Sequence, residues 1–240
     1  GNNAMTLVAF LLVLVSVFLH AGWNFLSKKQ IPSLSFYSLT STTAALLWLP
    51  CFLLSDLRLG NLPAMFWPIL AGSLVSEFIY IYGLANAYRK DDICLVYPMT
   101  RALPVLLTAA VTLLAGIGAP PGPVTLAGMV ILSSGCLLMP LMRWNQFRPA
   151  SYRSGALKFI VIAAAGTTGY TIFDSMAIRL VRASVEQPGL LSSMAYLFLI
   201  EAGLAHMLLF AVSRSISERQ EFRKLFLKTK TPVISGIFSS

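Results

Sequence analysis

Seven stretches of the chain are continuously apolar for about 18 to 25 residues, the length an α-helix needs to cross the hydrocarbon core of a bilayer. They cover residues 5–26, 34–54, 64–88, 93–117, 123–142, 156–179 and 189–213. Strands of a membrane barrel would be about half as long and would alternate apolar with polar positions, so the pattern predicts an all-α bundle of seven full transmembrane helices. Another apolar run starts after Thr231 and reaches Ser240 well short of spanning length, which predicts a truncated eighth helix. The first stretch is expected to be a retained helix and not a signal peptide. No basic residue precedes it, and it ends in HAGWNFLSKK, where a cleavage site would have small residues. Residues 1–4, ahead of Met5, read as an addition outside the fold.

The polar positions inside these stretches carry the chemistry. Arg101 sits roughly nine residues inside an apolar run, where a charge costs at least about 3 kcal/mol on insertion scales, so it is expected to have both a partner and a use. Tyr97, Arg101, Pro104, Thr108 and Thr112 share one helical face, and Pro98 and Pro104 each remove a helix hydrogen bond and free a carbonyl. In the preceding stretch Ser73, Ser76, Glu77 and Tyr80 lie near one face. At 1.5 Å rise per residue, Glu77 matches Arg101 in depth from the loop that joins them, so the two are expected to pair. Such a pair serves equally well as packing or as the edge of a substrate pocket. Ser16, His20 and Asn24 form a polar stripe in the first stretch, with Trp23 and Ser27 beside it. Thr167, Tyr170, Thr171 and Asp174 form another in the sixth, where Asp174 has Arg179 within reach. Both stripes suit either a cavity lining or bonds between helices. Glu201 and His206 lie within the seventh stretch without an evident partner, and Gly128 and Gly135 in the fifth suit close helix packing.

Composition narrows the class without changing it. Hydrophobic residues make up 57% of the chain and charged ones 11%, with a mean hydropathy of +0.76, which excludes a soluble domain. The net charge of +9 would suggest nucleic acid in a soluble protein. Here the basic residues concentrate in the connections between spans, so membrane orientation explains them and no nucleic-acid partner is expected. One set of alternate connections holds fourteen basic residues, and the other only Arg58, Arg179 and Arg182. By the positive-inside rule the richer face is cytoplasmic and the amino terminus external. The last of these connections, 214–230, is expected to be a basic loop touching anionic headgroups. Cys51, Cys94 and Cys136 have no metal-ligand spacing, and no hydrolase, zinc or phosphate-loop motif occurs, so neither an enzyme, a metal nor a cofactor is expected.

Four segments resemble the EamA-type branch of the drug/metabolite transporter superfamily: HAGWNFLSK from His20, ANAYRKDDICLVYPMTRALPVL from Ala85, GYTIFDSMAIRL from Gly169 and AYLFLIEAG from Ala195. The second, with its YPxxRxxxP core, is the most specific. The resemblance implies two inverted five-helix repeats around a central cavity and alternating access without nucleotide. Residues 5–142 would then be a complete first repeat and 143–155 a basic linker. Residues 156–240 would form an incomplete second repeat of two helices, the basic loop and the start of a third. It further implies that His20, Trp23, Asn24, Glu77, Tyr80, Tyr97, Arg101, Tyr170 and Asp174 face the cavity and bind substrate. The implied protein is a gradient-driven exporter of small polar or amphipathic metabolites in the bacterial inner membrane. Its partners would be a small molecule and the lipid bilayer, with a homodimer as an open alternative. Two points stand apart. Relatives carry an acid where the fourth helix ends, and this chain has Gly116 to Ala119 there; the resemblance also implies both termini in the cytoplasm, against the charge count. A structural membrane protein and an embedded enzyme using Glu77 or Asp174 as a base remain the alternatives.

Overall fold

In a computed structural model the chain is described over residues 33–117, 121–138, 155–186, 189–228 and 230–239, together with Leu11, Leu14, Val15 and Phe18. The remainder of the first stretch and residues 143–154 of the basic linker lie outside the described residues. The elements in order are α1 (Leu34–Leu54), one 3-10 turn (Leu59–Asn61), α2 (Phe66–Tyr88), α3 (Ile93–Leu114), α4 (Pro123–Leu138), α5 (Leu157–Ala183), α6 (Leu190–Ser213), α7 (Ile216–Lys228) and α8 (Thr231–Ser239). No strand occurs among the described residues. Five helices, α1, α2, α3, α5 and α6, are long and apolar enough to cross a membrane, as a multi-pass membrane protein requires; α4 is apolar but shorter. One expectation is corrected. The basic segment after residue 213 is not a loop: Ile216–Lys228 is helical, with Leu225 packed into the bundle and Glu218 held there by Ser35 and Arg89.

Polar residues are tolerated in these helices because their hydroxyls bond within the helix. In α1, Thr40, Thr42 and Thr43 donate to the carbonyls of Phe36, Ser38 and Leu39, four residues back, at 3.0, 2.7 and 2.9 Å. Ser33 caps the helix by accepting from the Phe36 N–H at 3.1 Å. At the far end of α3, Gly116 takes φ 63°, the Ile117 N–H returns to the Thr112 carbonyl at 2.9 Å and the Gly116 N–H to Leu113 at 3.4 Å. That is the left-handed helix stop for which glycine is suited.

The first three helices scarcely pack against their neighbours in sequence at α1–α2 and α2–α3. Along most of its length α2 lies on α5, and α1 lies on α6, while α3 packs on α5 and α4 and α8 lies on α1. Small residues decide the α2–α5 contact. A Cβ on Gly83 would lie 2.6 Å from the Ala163 nitrogen, one on Gly166 would lie 2.6 Å from the Ser76 carbonyl oxygen, and one on Gly169 would lie 2.5 Å from the Ser76 hydroxyl. Backbones that approach this closely gain dispersion contacts that lipid tails cannot match. The glycines singled out from sequence are not the ones used: a Cβ on Gly128 or Gly135 would meet nothing within 4 Å, since α4 turns both outward.

The helices alternate in direction. The start of α1, the end of α2, the starts of α3 and α5, and α7 therefore share one end of the bundle, called here the basic end. The opposite end is sealed by an apolar cluster in which Leu57, Leu62 and Phe66 pack on Ala177 and Val181 of α5 and on Ala195, Tyr196 and Ile200 of α6.

Candidate functional site

A cavity of about 580 Å³ opens between α3 and α5. Thr100, Arg101, Pro104, Thr108 and Thr112 line it from α3, Thr167 and Thr171 from α5, and Met129 from α4. Arg101 and Thr100 lie toward the basic end, and Ile117 and Pro121 lie at the opposite end, so the cavity runs from mid-depth toward the far end of the bundle. Four members of the α3 face read from sequence, Arg101, Pro104, Thr108 and Thr112, meet here. Pro104 supplies no N–H for the Thr100 carbonyl, which is the kind of backbone opening that membranes allow beside a cavity. The Thr108 and Thr168 hydroxyls, 3.4 Å apart, join the two walls.

Arg101 does not pair with Glu77. Its guanidinium lies 5.4 Å from the centroid of the Tyr97 ring and within electrostatic reach of Tyr80 and Tyr170, and it also interacts with Tyr37 and Tyr88. Glu77 instead faces Glu201 of α6 and Asp174 of α5, and its Oε2 is buried without a hydrogen-bond partner. Tyr80 and Tyr170 interact with both Glu77 and Arg101, and their rings meet edge to face at 5.8 Å. The reason for the correction is the packing of α5: it occupies the place beside α2 that a simple up-and-down order would give to α3. Equal depth therefore did not bring the two charges together. Tyr80, Tyr97 and Tyr170 lie around Arg101, although none of the three lines the cavity; Tyr37 and Tyr88, which were not singled out, sit at helix ends at the basic end of the bundle.

Asp174 neither snorkels nor reaches Arg179. It accepts hydrogen bonds from the Ser73 hydroxyl of α2 and, at 2.6 Å, from the Tyr196 hydroxyl of α6, and so clasps three helices. Tyr196 is 1% exposed, which leaves its hydroxyl no solvent alternative. Tyr196→Phe and Ser73→Ala are each expected to destabilise the protein by about 0.5–2 kcal/mol. Either change made on an Asp174→Ala background is expected to cost clearly less, as measured by thermal unfolding in detergent. Full additivity would show that the clasp does not exist. Glu201 lies beside the Ser41 hydroxyl of α1, and the His206 Nδ1 approaches the Ala202 carbonyl at 2.6 Å on an exposed face, away from the cavity.

At the basic end a second polar constellation closes the bundle. Glu218 of α7, 8% exposed, accepts from the Ser35 N–H at 3.0 Å, from the Ser35 hydroxyl at 2.8 Å and from Arg89 at 2.9 Å. The Ser35 hydroxyl also lies 2.6 Å from the Glu218 carbonyl oxygen. Burial opposes the charged form, yet the Arg89 guanidinium and the Ser35 donors outweigh it and hold the carboxyl below the usual glutamate range. A carboxyl lowered on folding stabilises the protein above its unfolded value, about 4.3, and that stability is lost as pH falls through the folded value. The melting temperature is therefore expected to drop on acidification below about pH 4, and Glu218→Gln to remove part of that drop while lowering the value at pH 7. An unchanged pH profile in the variant would contradict this. Glu218, Arg89 and Ser35 were visible in the sequence only as surface charges and a serine, because their separation along the chain hides the contact.

His20, Trp23 and Asn24 lie outside the described residues. Among the described residues no cluster of three or more His, Cys, Asp or Glu side chains is arranged for a metal ion. No protein-family model, curated protein or solved structure matches the chain.

Proposed function

We propose that this chain is a gradient-driven secondary transporter of small polar or amphipathic metabolites, an exporter of the EamA type in the drug/metabolite transporter superfamily, and that the cavity beside Arg101 receives the substrate. The observation that carries the proposal is a fixed cation at mid-depth on the wall of an open cavity of about 580 Å³ between helices long enough to cross a membrane. Arginine is charged at every accessible pH and presents a planar fork of donors, which suits a carboxylate or phosphonate. Val105, Ala109 and Met129 offer apolar surface for the remainder of the molecule, and the threonines offer hydroxyls that donate or accept. Intramembrane charges on a cavity wall are the usual marks of a transport path.

An inverted-repeat construction is supported by the pairing of the helices. If α1 and α6 are counterparts in the two repeats, and α2 and α8 likewise, then α1 against α6 is its own mate, and α1 against α8 is the mate of α6 against α2. All three contacts occur. The first-stretch residues His20, Trp23 and Asn24 would complete the lining. The test is a panel of anionic and zwitterionic metabolites screened by thermal shift on the purified protein, followed by flux of each hit in reconstituted vesicles. A hit that raises the melting temperature and moves across the vesicle membrane is the expected result; a stabilising hit that is never moved would favour a receptor or enzyme.

A further inference from the structure

The connection between α6 and α8 has two unlike faces. Inward, Leu225 is 3% exposed and packs with Phe36, Leu84 and Leu208, and Glu218, one heptad earlier, is held by Arg89 and Ser35. Outward, Ile216, Arg223 and Leu227 fall along the middle of the free face, flanked by Arg219 and Phe226 on one side and Lys224 on the other. Ile216 and Phe226 are each 69% exposed and Leu227 is 77% exposed. Phe222 and Phe226 stack in parallel at 6.2 Å, which stiffens that flank.

Water alone does not suit a face carrying three large apolar side chains, and hydrocarbon alone does not suit three cations. The boundary between headgroups and acyl chains suits both. The position of α7 agrees: it lies between the end of one membrane-length helix and the start of another apolar one, at the basic end of the bundle. Its charge agrees as well. Of its two acids, Glu218 is engaged inward by Arg89, and only Glu221, which reaches Lys224 at 3.5 Å, stands against the outward cations.

We infer that α7 is an interfacial helix that docks on anionic phospholipid headgroups through Arg219, Arg223 and Lys224, with Ile216, Phe226 and Leu227 entering the acyl boundary. Glu218 fixes the rotation of the helix, so that the cations meet the lipid surface while Leu225 stays in the core. The inference concerns the membrane surface and is independent of what the cavity carries.

The experiment titrates the full-length protein in mild detergent with phosphatidylglycerol, phosphatidylcholine or soluble glycerol phosphate and follows both lipid binding by native mass spectrometry and the melting temperature. Phosphatidylglycerol is expected to bind preferentially and to raise the melting temperature more than phosphatidylcholine, with glycerol phosphate ineffective because it lacks acyl chains. The R219Q/R223Q/K224Q variant, whose changes are all on exposed side chains, is expected to fold and to lose that preference by about tenfold or more. Leu227→Ser should weaken both lipids alike. Equal binding of the two lipids, a preference that survives in the triple variant, or an effect of glycerol phosphate equal to that of the lipid would each overturn the proposal. Capture of a folded protein partner in place of lipid would do the same.

Discussion

Replacing Arg101 with glutamine is expected to reduce flux of an anionic substrate in reconstituted vesicles to the background of protein-free vesicles, while the protein still enters the membrane and melts within a few degrees of the parent. Glutamine keeps two donors and most of the length but removes the charge. A hydrogen bond to a charged group contributes about 1.5–3 kcal/mol, so substrate affinity should fall by about 10- to 100-fold. Folding should be less affected. Around the guanidinium stand the aromatic side chains of Tyr80, Tyr97 and Tyr170, not the carboxylate of Glu77, so no unpaired buried acid is left behind on α2 by the change. Arg101→Lys retains the charge without the planar fork and should fall between the two. Flux of the glutamine variant equal to that of the parent would remove Arg101 from the transport path and, with it, the main support for the proposed function.

Gly166→Val is expected to be the most damaging single change in the folded bundle. The Cβ alone would meet the backbone nitrogen of Tyr80 and lie 2.6 Å from the Ser76 carbonyl oxygen and 2.8 Å from the Tyr80 Cα. These atoms belong to a helix backbone and cannot turn aside as a flexible side chain does. The α2–α5 interface must therefore open, at a cost of about 3 kcal/mol or more. Opening it would also separate Ser73 from Asp174 and Tyr80 from Tyr170, so the clasp and the tyrosine pair beside Arg101 would go with it. The expected readout is a large fall in melting temperature or failure to recover folded protein, with Gly128→Val as the control near the parent value, since nothing lies within 4 Å of that site. Equal behaviour of the two variants would mean that α2 and α5 do not pack at this distance.

The two results bear on different parts of the same argument. Arg101 was legible in the sequence because a charge inside an apolar stretch is anomalous wherever its neighbours fall, and its company of Pro104, Thr108 and Thr112 followed from helical spacing on one element. Tyr80 and Tyr170 joined it through resemblance and not through spacing. The pairing with Glu77 was wrong because it assumed that helices adjacent in sequence are adjacent in space. Helix order gives depth, and depth is only one coordinate of a contact. The glycines failed for a related reason: a small residue shows where backbones are able to approach, and only the fold shows whether another helix is there, as it is at Gly83 and Gly166 and is not at Gly128 and Gly135.

What the sequence determined by itself, then, is whatever a single segment settles with the solvent: that the described apolar stretches are helices, five of them long enough to cross a membrane, that basic residues concentrate in the connections, and that Arg101 needs a polar environment. In hydrocarbon a segment must satisfy its own backbone hydrogen bonds, so these properties are local and can be read one stretch at a time. Only the tertiary structure decided which helices pair, that Asp174 joins three of them, that the segment after Ser213 is a helix locked by Glu218, and that a cavity opens between α3 and α5. Those contacts join residues as far as 192 positions apart and arise from side-chain shape at close approach, for which neither hydropathy nor periodicity carries a signal.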